Sequence, residues 1–165
     1  MKEILFAMML WIHNATGYTI PEPPTIKYVN SFGITKEAYG CDLDPVPKKS
    51  VDICNSQHLW FVDFLEKENI PLGLYNHEEE IIFVNTDFKK GEAHDRSVIF
   101  HELVHHIQYK NGVYDNMPCI GMLEEQAYNL QDKWLKEKYN VSVYETIGIN
   151  ALFLMVITSC GERFY

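Results

Sequence analysis

The chain has 165 residues, 47% of them hydrophobic, which suits one compact domain with a real core and leaves little room for a second. Its formal net charge of -9, from 14 basic and 23 acidic residues, argues against binding nucleic acid or an anionic membrane surface by bulk electrostatics. There is no phosphate-cradling glycine loop, no internal repeat and no apolar run long enough to span a bilayer.

The first stretch, "MKEILFAMMLWI", has two readings. Its apolar run suits the hydrophobic region of a signal peptide, but Glu3 spoils a basic start and "HNATGY" offers no good small-x-small cleavage site. The preferred reading is a helix over residues 1–17 ending at Gly17, because Leu5, Met8, Met9 and Ile12 keep helical spacing. "TIKYVN" then reads as a strand, and "TKEAYG" as a short helix or turn closed by Gly40.

"CDLDPVPKKSVDICN" has the prolines and charges of a surface loop, and "SQHLWFVDFLEKENI" the periodicity of a helix. "LGLYNHEEEIIFVN" reads as a hairpin with an acidic turn near Asn76 to Glu79 and a strong strand from Ile81 to Val84. Asp95 or Ser97 is the expected cap of the next helix, which Gly112 ends. A helix from about Met122 to Lys138 and a last apolar helix near Tyr144 to Thr158 complete the chain. Strands early and helices late predict an α+β fold.

Four cysteines, Cys41, Cys54, Cys119 and Cys160, include no C-x-x-C pair, so a thiolate zinc cluster or a thioredoxin-like motif is not expected. The choices are two disulfides in an exported protein or four reduced, mostly buried thiols. Sequence does not fix the pairing; Cys41 with Cys54 and Cys119 with Cys160 is the preferred arrangement, and a secreted or periplasmic location goes with it.

The chemistry sits in "VIFHELVHHIQY", residues 98–109. Each helical residue advances roughly 100°. With His101 at zero, His105 lies about 40° round and Glu102 about 100°, whereas Ile99, Phe100, Leu103, Val104 and Ile107 fall between about 160° and 300°. The histidines therefore stand apart from the apolar arc in which a core histidine belongs. Two imidazoles one turn apart can direct ring nitrogens to one tetrahedral Zn²⁺, and a glutamate next to the first projects beside the metal, placed to accept a proton. About one chain in forty of this composition would carry H-E-x-x-H by chance, so the motif needs a third ligand.

His106 points toward the edge of the apolar arc, and no histidine follows it in the chain. "MLEEQAYNLQDKWL" does follow, with eighteen residues between His105 and Glu124. This pattern, H-E-x-x-H and then Glu124-Glu125-Gln126-Ala127, resembles the gluzincin zinc metallopeptidases, whose second helix gives a glutamate ligand and has a small residue one turn on. More closely, "SVIFHELVHHIQY", "EEQAYNLQDKWL" and "GINALFLMVITSC" are similar to an uncharacterised family of small, often exported bacterial proteins regarded only as metallopeptidase candidates. Cys119 and Cys160 match cysteines of that family, and Cys41 and Cys54 do not.

The resemblance implies a single-domain α+β zincin spanning residues 1–165: a small twisted sheet packed on the active-site helix, with a second ligand-bearing helix beside it. It implies a peptidase with Zn²⁺ as cofactor, ligands His101, His105 and Glu124, a zinc-activated water, Glu102 as general base, and a peptide or protein as substrate. Glu125, with Asn129 one turn on, is the alternative carboxylate. Tyr109 and Tyr128 are open to an oxyanion-binding role, though packing is the preferred one. The strand Ile81 to Val84 could hold an extended peptide by strand addition. The competing reading is a zinc-containing binding or structural module without turnover.

Overall fold

The computed structural model describes residues 1–39, 71–87 and 91–160. The expected loop and helix between Cys41 and Ile70, with the Cys41–Cys54 pairing, lie outside the described residues. Helix α1 (Lys2–Thr16) buries Leu5, Met8, Met9 and Ile12 and ends where Gly17 turns left-handed (φ 77°), its N–H donating to the His13 carbonyl. Strand β1 (Thr25–Val29) follows, and helix α2 (Ser31–Tyr39) begins four residues ahead of the expected Thr35.

Strands β2 (Gly73–Asn76) and β3 (Ile81–Asn85) form the expected hairpin. The Asn76 side-chain oxygen accepts from the backbone N–H groups of Glu78 and Glu79 in its turn, a local bond that asparagine makes readily. The sheet order is β1-β3-β2, with β1 parallel and β2 antiparallel to β3. Ile82 and Val84 face the main core, while Ile81 and Phe83 pack with Ile34 of α2 on the other face. Burial on both faces explains why β3 is continuously apolar instead of alternating. Because β3 has a partner along each edge, it cannot take an added strand; that part of the expectation is corrected, and among the described residues β2 is the outer strand nearer the histidine helix.

Helix α3 (Glu92–Lys110) carries the motif. It starts earlier than expected: Gly91 is its N-cap and no side chain caps it, so Asp95 and Ser97 lie inside the helix. Ser97 is fully buried, and its hydroxyl donates to the His94 carbonyl instead of capping a free N–H. The other end stops at Asn111, with Gly112 left-handed (φ 65°). Helix α4 (Ile120–Tyr139) then returns across α3.

The expected final helix is two: α5 (Val143–Ile147), opened by a Ser142/Glu145 capping box, and α6 (Ala151–Thr158), opened by Asn150. Gly148 at φ 77° separates them, because a left-handed residue breaks the run of helical hydrogen bonds. Cys119 and Cys160 are disulfide-bonded, which ties the end of α6 to the start of α4.

The main core gathers α1, the inner sheet face, α3 and α4. Phe100 is at its centre, stacked on Trp134 (ring centroids 4.7 Å) and met edge-on by Trp11 (5.4 Å). Burying one such side chain stabilises the fold by about 1.5–3 kcal/mol. Ala127 is fully buried where α4 meets that core, as expected of a small residue between close helices. The result is a mixed α+β fold, and among the described residues no helix is long and apolar enough to cross a membrane.

Candidate metal centre

The apolar arc of α3 faces the core, and the opposite side is covered as well. His101, Glu102 and His105 are only 8%, 9% and 7% exposed. Glu124, from the second turn of α4, closes over them: its carboxylate lies 3.3 Å from His101 Nε2 and 3.4 Å from His105 Nε2, and the two Nε2 atoms are 3.1 Å apart. Among the described residues these three side chains form a group able to hold a metal ion.

The donor set fits a tetrahedral cation. Metal–ligand distances of about 2.0–2.1 Å imply donor–donor edges of about 3.3–3.4 Å, close to the separations found. His101 Nδ1 lies 3.1 Å from Gln131 Oε1, and His105 Nδ1 lies 2.9 Å from Gln108 Oε1. An amide oxygen only accepts, so each Nδ1 must carry a hydrogen, and a neutral imidazole then has a bare Nε2. Two bare nitrogens and a carboxylate facing one point call for a positive centre.

Protons on the Nε2 atoms can supply that charge in place of a cation, and the acid–base behaviour of the group describes this second state. Burial pushes the His105 imidazole down, yet the hydrogen bond and charge of Glu124, with the charge of Glu102, outweigh it and lift the pKa to about 9. Burial would raise the Glu124 carboxyl, but hydrogen bonds from His101 and His105 overcome it and hold the group well below the usual carboxylate range. Glu102 goes the other way: its burial dominates and raises it, against the opposing charges of His101 and His105.

Glu102 is not one of the three converging groups. It points toward β2, where a Cβ on Gly73 would lie 2.8 Å from its Cγ and Oε1. The strand can pass so close to the carboxylate only because residue 73 has no side chain. Glu125, the alternative ligand, is exposed and lines a groove facing α6 together with Asn129, Leu154 and Met155. His106 is fully buried with both ring nitrogens engaged, Nδ1 at the Tyr75 hydroxyl and Nε2 donating to the Glu22 carbonyl at 2.9 Å.

Of the two tyrosines, Tyr128 packs its ring on His101 (centroids 4.4 Å), and Tyr109 is 40% exposed among the rings of Tyr75, His77 and Tyr114. Both make ring contacts, and Tyr128 makes its contact with a histidine of the centre. Sequence reasoning missed Gln108, Gln131 and Gly73. A glutamine three residues after His105, and another seven after Glu124 and so on the same face of its helix, were the available signals for the first two.

No curated protein and no solved structure matches the chain. A family profile described as a domain of unknown function, DUF6647, matches residues 48–163. That span runs from before β2 to beyond α6 and includes both helices of the centre and the disulfide, so the chain belongs to the DUF6647 family.

Proposed function

We propose that this chain is a zinc-dependent peptidase of zincin architecture, with His101, His105 and Glu124 as metal ligands and Glu102 as general base. The observation that carries the reading is the convergence of two Nδ1-tethered imidazoles and one carboxylate at tetrahedral-edge separations. Zinc, when bound, supplies a Lewis acid for a substrate carbonyl and lowers the pKa of water at its open position.

The rest of the chemistry belongs to the chain. Glu102 stands beside the ligands without joining them, and its burial raises its proton affinity, which suits a group that must take a proton and later return it. The walls of α4 and β2 keep bulk water away, so the charges at the site act in a low-dielectric setting. Strand β2, an outer strand among the described residues and next to Glu102, can pair with an extended substrate backbone, which favours a peptide. The Cys119–Cys160 bond supports export to an oxidising compartment.

The test combines metal analysis with a broad peptide-library digest. About one zinc per chain is expected, and His101→Ala, His105→Ala or Glu124→Ala should each weaken binding by orders of magnitude. Glu102→Gln should keep zinc and fold while activity drops by at least ~10²–10⁴-fold. An active Glu102→Gln variant would mean another base. A zinc-loaded wild type that cleaves nothing would replace the peptidase with a metal-binding module that has no turnover.

A further inference from the structure

We infer that Gln108 and Gln131 are positioning residues for the metal ligands: their amide oxygens hold the Nδ1–H groups of His105 and His101 so that both Nε2 lone pairs face the metal position. The inference rests on the zinc reading of the site and deepens it.

Both glutamines are buried, Gln108 fully and Gln131 to 2% exposure, in a region where an amide must find partners for its oxygen and its NH₂ group. Each amide is itself held in one orientation. Gln131 Nε2 donates to the Ser97 carbonyl at 2.9 Å, which leaves its oxygen toward His101. Gln108 Nε2 donates to the Leu123 carbonyl at 3.1 Å and to Gln126 Oε1 at 2.8 Å, which leaves its oxygen toward His105. Turning either amide over would aim NH₂ at the imidazole and set oxygen against oxygen on the far side. The tautomer of each ligand is therefore set by backbone carbonyls one bond further out.

The choice of amide over carboxylate also has a reason. Glu102 and Glu124 already bring two acidic groups to the site, and a neutral acceptor orients each ring without adding a third or a fourth. The chain from His105 continues through Gln108 and Gln126 to the Tyr18 hydroxyl just after α1, with Gln126 Nε2 donating at 3.0 Å. Gln108 is thus fixed from α4 and, through Gln126, from the segment that follows α1.

The experiment measures the zinc dissociation constant of the full chain by chelator competition. It also records Nδ1–H proton resonances of the zinc-loaded protein by NMR. Gln108→Met and Gln131→Met keep the length of the side chain and remove the acceptor. Each should weaken zinc binding by ~10–100-fold, the usual effect of losing a partner behind a ligand, and should abolish one protected Nδ1–H signal. Gln131→Glu is the conservative variant. Its carboxyl oxygen still accepts from the His101 Nδ1–H, so affinity and signal should largely return.

Met variants that bind zinc as tightly as wild type would overturn the inference and leave the zinc site standing. So would equal losses in Gln131→Met and Gln131→Glu, which would trace the effect to packing. If Gln131→Met does not fold, Gln108→Met and Gln131→Glu still decide. A wild type that binds no zinc overturns the reading of the site and this inference with it.

Discussion

Helices α3 and α6 reverse what their compositions suggest. "ALFLMVIT", the whole of α6, is almost entirely apolar, yet none of its residues is buried, and Leu152 and Met155 are 60% and 62% exposed. Helix α3 holds four histidines, a buried glutamate and a buried glutamine, and nearly all of it from Ser97 to Gln108 is enclosed. The difference lies in the neighbours. α3 is packed by α1, the sheet and α4, whereas α6 lies along α4 and is fixed there by the Cys119–Cys160 bond. A Cβ at Gly121 would come within 2.7–2.8 Å of the Thr158 and Ser159 carbonyl oxygens, so the end of α6 also crosses α4 at a glycine. Packing and hydrogen bonds position one helix, and a covalent tie positions the other.

Three variants would break or sharpen this contrast. Phe100→Ala, at the stacked centre of the core, should cost about 3–5 kcal/mol of stability by denaturant unfolding; a cost below about 1 kcal/mol would mean that α3 is not held by its core face. Replacing Cys119 and Cys160 with serine should cost about 2–4 kcal/mol, the range for releasing a loop of this size. Amide exchange should rise in residues 151–158 while α3 stays protected, and equal loss of protection in both would show that α6 supports the centre. Leu152→Ala should change stability by less than about 0.5 kcal/mol, because its side chain is mostly in water already.

What was legible in the sequence was local. The spacing of Leu5, Met8, Met9 and Ile12 marked the four residues that α1 buries, and Gly17 marked its end. The hairpin and both long helices follow from patterns within a few turns of chain, as does the shared face of His101 and His105. The convergence of Glu124 on them was reached only through a family pattern. What was hidden depends on elements meeting: the parallel pairing of β1 with β3 joins strands more than fifty residues apart, and nothing in "IIFVN" says which edges are filled. Ser97 looked like a cap because serine usually is one, but the helix begins ahead of it, so its hydroxyl donates back to the His94 carbonyl instead. Gln108 and Gln131 looked like ordinary polar helix residues because their work is defined by a ring on the neighbouring turn or helix.

The bare Cα at Gly73 links two positions that are distant in sequence. A methyl group there would occupy the space of the Glu102 side chain, so alanine at 73 and a carboxylate held in this pose at 102 exclude each other unless strand or helix shifts. Among members of the family, the residue opposite the glutamate on β2 therefore becomes a reading aid. Chains that keep glycine there retain room for a glutamate in this pose, and those with a larger residue must hold the side chain at 102 differently.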